Sequence, residues 1–268
     1  MPTPASASAA LRRSRLRRSI AGAALVLVVA AVGFAAIPDS SRAATVRTAL
    51  LLGDSLTAET SPVFVAPSAW KLEILAHPRI APCDWLTDTH PNFYDEMAKR
   101  PSAVIIETAG NFRTKCMTVR GSSSGAGSRA FLSRYKSALA TIFADAKRDG
   151  ATVVLLAPPP LLVPHRDAAL SMILTWARVT EHVKTSIAPS AAVSLHGKFT
   201  ETLRCLSGET AMLGCVKGKI VVRTLDAKWH LHFCPYAKDF TPFFTCAVYS
   251  SGETRWARAT MRLLRGLR

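Results

Sequence analysis

The sequence predicts an α/β domain built on a parallel sheet that carries helices on both faces. Three observations lead there. Short runs at 48–52, 103–107 and 152–157 are near-continuously apolar, as strands buried on both faces must be. A long amphipathic stretch, 128–148, separates two of them. Turn signals such as Gly53, Arg100-Pro101 and Pro158-Pro159-Pro160 end the preceding stretches sharply. Strands alternating with helices argue for parallel order, because each crossover returns the chain to the same end of the sheet.

Taken in order, residues 1–11 are rich in Ala, Ser and Pro and predict no structure. Arg12, Arg13, Arg15, Arg17 and Arg18 precede an uncharged run, 20–37, followed by Pro38-Asp39. As a helix that run would measure roughly 27 Å, enough to cross a bilayer. It predicts a secretory signal or an uncleaved signal anchor over 1–43, with Ser41-Arg42-Ala43 as a cleavage site and one domain over 44–268. The body of the protein is then extracytoplasmic, touching membrane only through that segment.

The first strand is 48–52, and 70–76 reads as a second. A short helix is expected over 91–99, then the strand at 103–107 and a flexible Gly/Ser loop over 121–127. In the helix at 128–148, Phe131, Tyr135, Ala138, Leu139, Ile142, Phe143 and Ala146 share one face, with Gly150 suited to its C-terminal cap. The strand at 152–157 follows. A helix over 167–186 and a short fourth central strand over 191–195 come next. Ser250-Ser251-Gly252-Glu253 opens a final helix to about residue 264, with Trp256, Ala259, Met261 and Leu264 facing the core.

Charge and cysteine content narrow the function. The formal net charge is +16; six Arg and one Asp lie in residues 1–43, leaving 28 basic against 17 acidic residues in the body. That surplus suits anionic envelope polymers, membrane surface or nucleic acid, but with no basic patch interleaved with aromatics and no nucleic-acid motif it reads first as a solvated surface. Cys83, Cys116, Cys205, Cys215, Cys234 and Cys246 form an even set, read as disulfides in an oxidising compartment. Fifteen pairings are open; proximity favours Cys205–Cys215 and Cys234–Cys246, leaving Cys83–Cys116. No Cys-x-x-Cys or His-x-x-x-His spacing occurs, so no metal site is expected.

The chemistry concentrates at strand ends. Gly53-Asp54-Ser55-Leu56 follows the first strand, at the edge where open α/β sheets bind ligands. A serine there, at the start of a helix, can serve as nucleophile and lend its own N–H to an oxyanion. Glu107-Thr108-Ala109-Gly110-Asn111-Phe112 leaves another strand at the same edge, and Asn111 can donate its amide to an oxyanion or hold a turn. Near the C-terminus, Asp226 precedes His230 and His232, which supply two candidate bases and an acid.

In that order the three blocks resemble the GDSL/SGNH hydrolase family over about residues 48–266. The similarity is greatest to secreted actinobacterial members, through Ala81-Pro82-Cys83-Asp84-Trp85-Leu86, His232-Phe233-Cys234-Pro235 and Tyr249-Ser250-Ser251-Gly252. The resemblance implies a flavodoxin-like three-layer α/β/α fold with five parallel strands. It implies Ser55 as nucleophile, Asn111 as oxyanion donor and His232 as base, with His230 the alternative. Two positions depart from the family pattern. Arg79 stands where the family has a glycine whose N–H joins the oxyanion hole. Trp229 stands three residues before His232, where the family has its acid; Asp226 is six before. The expected activity is hydrolysis of a carbohydrate or lipid O-acyl ester without a cofactor. An O-acyltransferase or a catalytically decayed envelope-binding protein are the alternatives.

Overall fold

Five strands form one all-parallel sheet: β1 (Arg47–Gly53), β2 (Trp70–Ala76), β3 (Ala103–Ile106), β4 (Thr152–Leu156) and β5 (Lys184–Ser186), in the order β2-β1-β3-β4-β5. The computed structural model describes residues 45–87, 92–119, 122–123, 125–161, 163–193, 202–204, 215–216, 219–221, 224–225, 231–233 and 251–267. Register runs unbroken through the centre, with Leu51 beside Ile74 on β2 and Ile105 on β3, and Ile105 beside Val154 on β4. Leu51, Ile105 and Val154 are buried, which is why the three central strands tolerate no polar alternation.

Among the described residues, seven α-helices accompany the sheet: α1 (Ser55–Thr60), α2 (Pro82–Thr87), α3 (Phe93–Met97), α4 (Arg129–Arg148), α5 (Pro164–Val179), α6 (Ala188–Ala192) and α7 (Ser251–Arg265). α2, α3, α4 and α5 pack in one group, and α1, α6 and α7 in another. Right-handed crossovers place these groups on opposite faces of the sheet, giving the three-layer architecture the sequence predicts. The α4 face is as expected: the seven residues named above are its buried ones, and Ser128 caps its start by accepting from Phe131 N at 3.1 Å.

Two expectations are corrected. The helix anticipated over 167–186 is shorter: α5 ends at Val179, and Lys184–Ser186 is the fifth strand. His182 adopts a left-handed backbone (φ 52), which breaks the helical path before Val183 N bonds back to Ala177 O at 2.9 Å. Lys-Thr-Ser has no apolar run to announce it, because a strand at the sheet edge pairs on one side only. Of the strand anticipated over 191–195, Ala191 and Ala192 belong to α6, started by Pro189 in its first turn, and 194–195 lie outside the described residues. Within the Gly/Ser loop expected over 121–127, Ser122–Ser123 pairs antiparallel with Thr118–Val119, which precedes it.

Candidate active site

The sheet order reverses direction between β1 and β3, and the crevice at their carboxyl ends is where such sheets bind ligands. Gly53 ends β1 in contact with the next turn. A Cβ there would lie 2.1 Å from the Thr57 Cβ, so only glycine fits. Asp54 then caps α1, its Oδ1 accepting from Leu56 N at 3.1 Å, and Ser55 becomes the first helical residue. The Ser55 backbone N–H is one of the donors that a helix start leaves without an intrahelical acceptor.

The other oxygen of Asp54 reaches across to the loop after β3. Oδ2 accepts from Ala109 N at 2.7 Å and from Asn111 Nδ2 at 2.9 Å. One carboxylate thus fixes both the start of the helix that begins at Ser55 and the Asn111 amide. An amide nitrogen carries two hydrogens, so Asn111 retains a second donor beyond the one spent on Asp54. Gly110, at φ +77, bends the loop; its N–H donates to the Tyr135 hydroxyl at 3.1 Å.

Beneath lies a second carboxyl group. Glu107 Oε2 accepts from Thr57 Oγ1 at 2.9 Å and from Asp54 N at 3.4 Å, and both acids are fully buried. Burial raises the pKa of each. The charge of Asp54 raises Glu107 further, well above the usual carboxylate range. Two carboxylates this close cannot both ionise in a dry setting. The anion belongs on Asp54, which collects the N–H donors, and the proton on Glu107. The Tyr135 hydroxyl, bonded also to Thr108 Oγ1, is raised by burial and stays neutral.

The imidazole comes from the C-terminal part of the chain. His232 Nδ1 meets the Glu59 carboxylate, whose second oxygen accepts from Phe233 N at 2.9 Å. Phe233 is fully buried and its ring lies 5.9 Å from that of Trp256 on α7, so a core residue anchors the histidine's neighbour. Glu59 is four residues after Ser55 on α1, one turn along and therefore on the same helix face. A carboxylate on Nδ1 fixes the Nδ1–H tautomer and leaves Nε2 as the basic nitrogen. Glu253, in the first turn of α7, is pushed up to about 9 by burial, with the charge of Glu59 adding to the rise.

Among the residues singled out in the sequence, Ser55, Asn111 and His232 are described. Ser55 and Asn111 are linked through Asp54, and Ser55 and His232 through the helix that bears Glu59. Asp226 and His230 lie outside the described residues. Sequence reasoning missed Glu59; the available signal was an acid one turn after the candidate nucleophile, in a helix whose other positions after Ser55 are buried. Arg79 sits on the turn after β2, exposed, with φ 64, the left-handed conformation a glycine takes without strain. Cys83 and Cys116 form a disulfide, Cα–Cα 5.9 Å, joining α2 to the loop beyond Asn111. The side chains of Cys205, Cys215, Cys234 and Cys246 lie outside the described residues. Among those described, the one His/Cys/Asp/Glu group spaced to hold a metal is Cys83, Asp84 and Cys116, and its two sulfurs are bonded to each other. No described helix is long and apolar enough to cross a membrane; the 20–37 segment is outside that set.

No protein-family model matches the chain, and no curated protein sequence matches it. Among solved structures it is similar to a catalytic mutant of Axe2, an acetylxylan esterase from Geobacillus stearothermophilus, at 12% identity over 84% of this chain and 96% of that one, TM-score 0.48. It is similar also to a G-D-S-L family protein from Desulfitobacterium hafniense, at 11% identity over 81% and 99%, TM-score 0.47. A third likeness is to the Bacillus subtilis protein YXIM, at 12% identity over 55% of this chain, TM-score 0.39; this chain spans 45% of that protein's length. Each is a likeness of chain path, and the site is read from this chain's own residues.

Proposed function

We propose that the protein is a serine hydrolase acting on ester bonds, with Ser55 as nucleophile, His232 as base and Glu59 as the acid that orients it. The observation that carries this reading is the Glu59–His232 contact on the helix that Ser55 begins. His232 Nε2 takes the Ser55 proton as Oγ attacks the ester carbonyl. The Ser55 N–H and the second Asn111 amide hydrogen then receive the oxyanion, a contribution worth roughly 3–4 kcal/mol per donor in comparable sites. The imidazolium returns its proton to the leaving alcohol, and a water activated by the same nitrogen cleaves the acyl-enzyme. Glu59 stabilises the imidazolium without leaving its place. The Arg79 N–H, on the turn after β2, is a third oxyanion donor in this reading.

The same reading places the enzyme outside the cytoplasm. The arginine-led apolar segment 20–37 and the Cys83–Cys116 bond both support that location. Its substrate is then an O-acyl ester of an envelope carbohydrate or lipid.

Hydrolysis of p-nitrophenyl acetate by the disulfide-intact protein tests the chemistry. Ser55→Ala and His232→Ala should each lower kcat by about 10³-fold or more, as removal of nucleophile or base does elsewhere. Glu59→Gln should cost about 10²–10⁴-fold, with Asp226→Asn and His230→Ala costing far less. A large loss in Asp226→Asn with little in Glu59→Gln would return the orienting role to Asp226. A wild type no more active than Ser55→Ala on any ester would leave an envelope-binding protein as the better description.

A further inference from the structure

The loop that presents Asn111 continues into Phe112 and Arg113, and α5 brings Arg166 against it. The Arg166 Cζ lies 5.4 Å from the centre of the Phe112 ring, and the Arg113 Cζ lies 5.6 Å from it. Two guanidinium groups therefore lie close to one aromatic ring, immediately beyond the candidate oxyanion donor. Arg166 also touches Gly110: a Cβ on that glycine would come 3.1 Å from the Arg166 Cγ. This cation is packed into the site's wall.

Its hydrogen bonding is incomplete. Arg166 Nε is buried and makes no hydrogen bond among the described residues, and no carboxylate there pairs with its guanidinium. Burial lowers its pKa first of all; Tyr135, Asp54 and Asp167 oppose that shift, and the nearby charge of Arg113 adds to it. An arginine stays protonated regardless, so the structure holds a half-buried positive charge beside a like charge. Ring stacking offsets part of that cost. A planar guanidinium with spare donors is suited to a carboxylate or phosphate.

We propose that Arg166 and Arg113 form an anion-binding subsite, and that the ester substrate carries a carboxylate or phosphate that occupies it. The inference rests on the reading of Ser55 as an ester-cleaving nucleophile, and it names the class of ester. The anion sits beside Phe112, one residue beyond Asn111, so it and the scissile carbonyl belong to one molecule. Neutral esters lack that anchor.

The test has a binding arm and a kinetic arm. Phenyl phosphate, benzoate and the neutral benzamide are titrated calorimetrically into the wild type, Arg166→Gln, Arg113→Gln and the charge control Arg129→Gln, an exposed site outside the cluster. The wild type should bind at least one of the two anions and not benzamide. Arg166→Gln or Arg113→Gln should weaken that binding at least tenfold, and Arg129→Gln should retain it; the preferred anion distinguishes carboxylate from phosphate. In the kinetic arm, kcat/KM is compared for p-nitrophenyl hydrogen glutarate against p-nitrophenyl butyrate, and for p-acetoxybenzoate against phenyl acetate. The charged member of at least one pair should be preferred, by a ratio that falls at least tenfold in Arg166→Gln.

Anion binding undiminished in both arginine variants would overturn the subsite, as would no binding at all. Binding without any preference for charged esters would overturn its assignment to the substrate. Binding lost in the variants while no ester is cleaved by any protein would leave the subsite standing and refute the hydrolase instead. Thermal unfolding of Arg166→Gln confirms that the variant is folded before either arm is read.

Discussion

Gly110 shows how one residue serves two constraints at once. Its backbone sits at φ +77, where a side chain is strained, and the Arg166 stem closes the space a Cβ would take. Gly110→Ala should therefore destabilise by about 1–3 kcal/mol and shift the Asn111 amide, and under the proposed function it should lower kcat more than it raises KM. Thermal unfolding and steady-state kinetics on the same preparation check both parts. Asp54 is the other residue on which the site depends. Asp54→Asn would remove the charge that draws in Leu56, Ala109 and Asn111, and would free Glu107 from its repulsion. Loss of the Asn111 anchor should lower kcat even where the protein remains folded.

At the scale of elements, the site is assembled from ends. α1 begins at β1, the Asn111 loop begins at β3, and the disulfide ties that loop to α2 beyond β2. The bridged cysteines are 33 residues apart, so the bond removes loop freedom from the unfolded chain worth about 3–4 kcal/mol. Cys83→Ser with Cys116→Ser should lower the unfolding midpoint by roughly 6–15 °C, and should loosen the loop that carries Phe112 and Arg113. Differential scanning calorimetry of the oxidised and double-serine proteins measures the first. A midpoint that does not move would show that the loop is held by Met117, Phe112 and the strand pairing alone.

Across the whole molecule, buried acids set the pH response. Glu253 is held near 9 in the fold and titrates near 4.5 when unfolded. Between those values the folded state keeps a proton that the unfolded chain has released. Its contribution is thus fully present at low pH and is lost as pH rises, by at most about 1.4 kcal/mol per pH unit. Glu107, raised for the same reason, acts in the same direction. The wild type should accordingly unfold at a lower temperature at about pH 8 than at about pH 5, and Glu253→Gln should narrow that gap. An unchanged gap would mean that Glu253 is ionised in the fold.

Much of the scaffold was legible because its causes are local. The apolar runs of β1, β3 and β4 announce strands buried on both faces, and the α4 face follows from helical spacing alone. Gly53-Asp54-Ser55 marks a strand end whatever surrounds it. β5 and α6 were misassigned from sequence because Lys-Thr-Ser carries no pattern and Ala-Ala-Val mimics a strand. The candidate site was legible as Ser55, Asn111 and His232, which announce themselves by residue type beside turns. The partners of those residues were decided by tertiary structure: Glu59 meets His232 across 173 residues, and Asp54 meets Asn111 across 57. A sequence specifies periodicity and turns through neighbouring residues. Which carboxylate reaches which imidazole depends on how strands and helices are stacked in space, and on what burial then does to the charges they bring together.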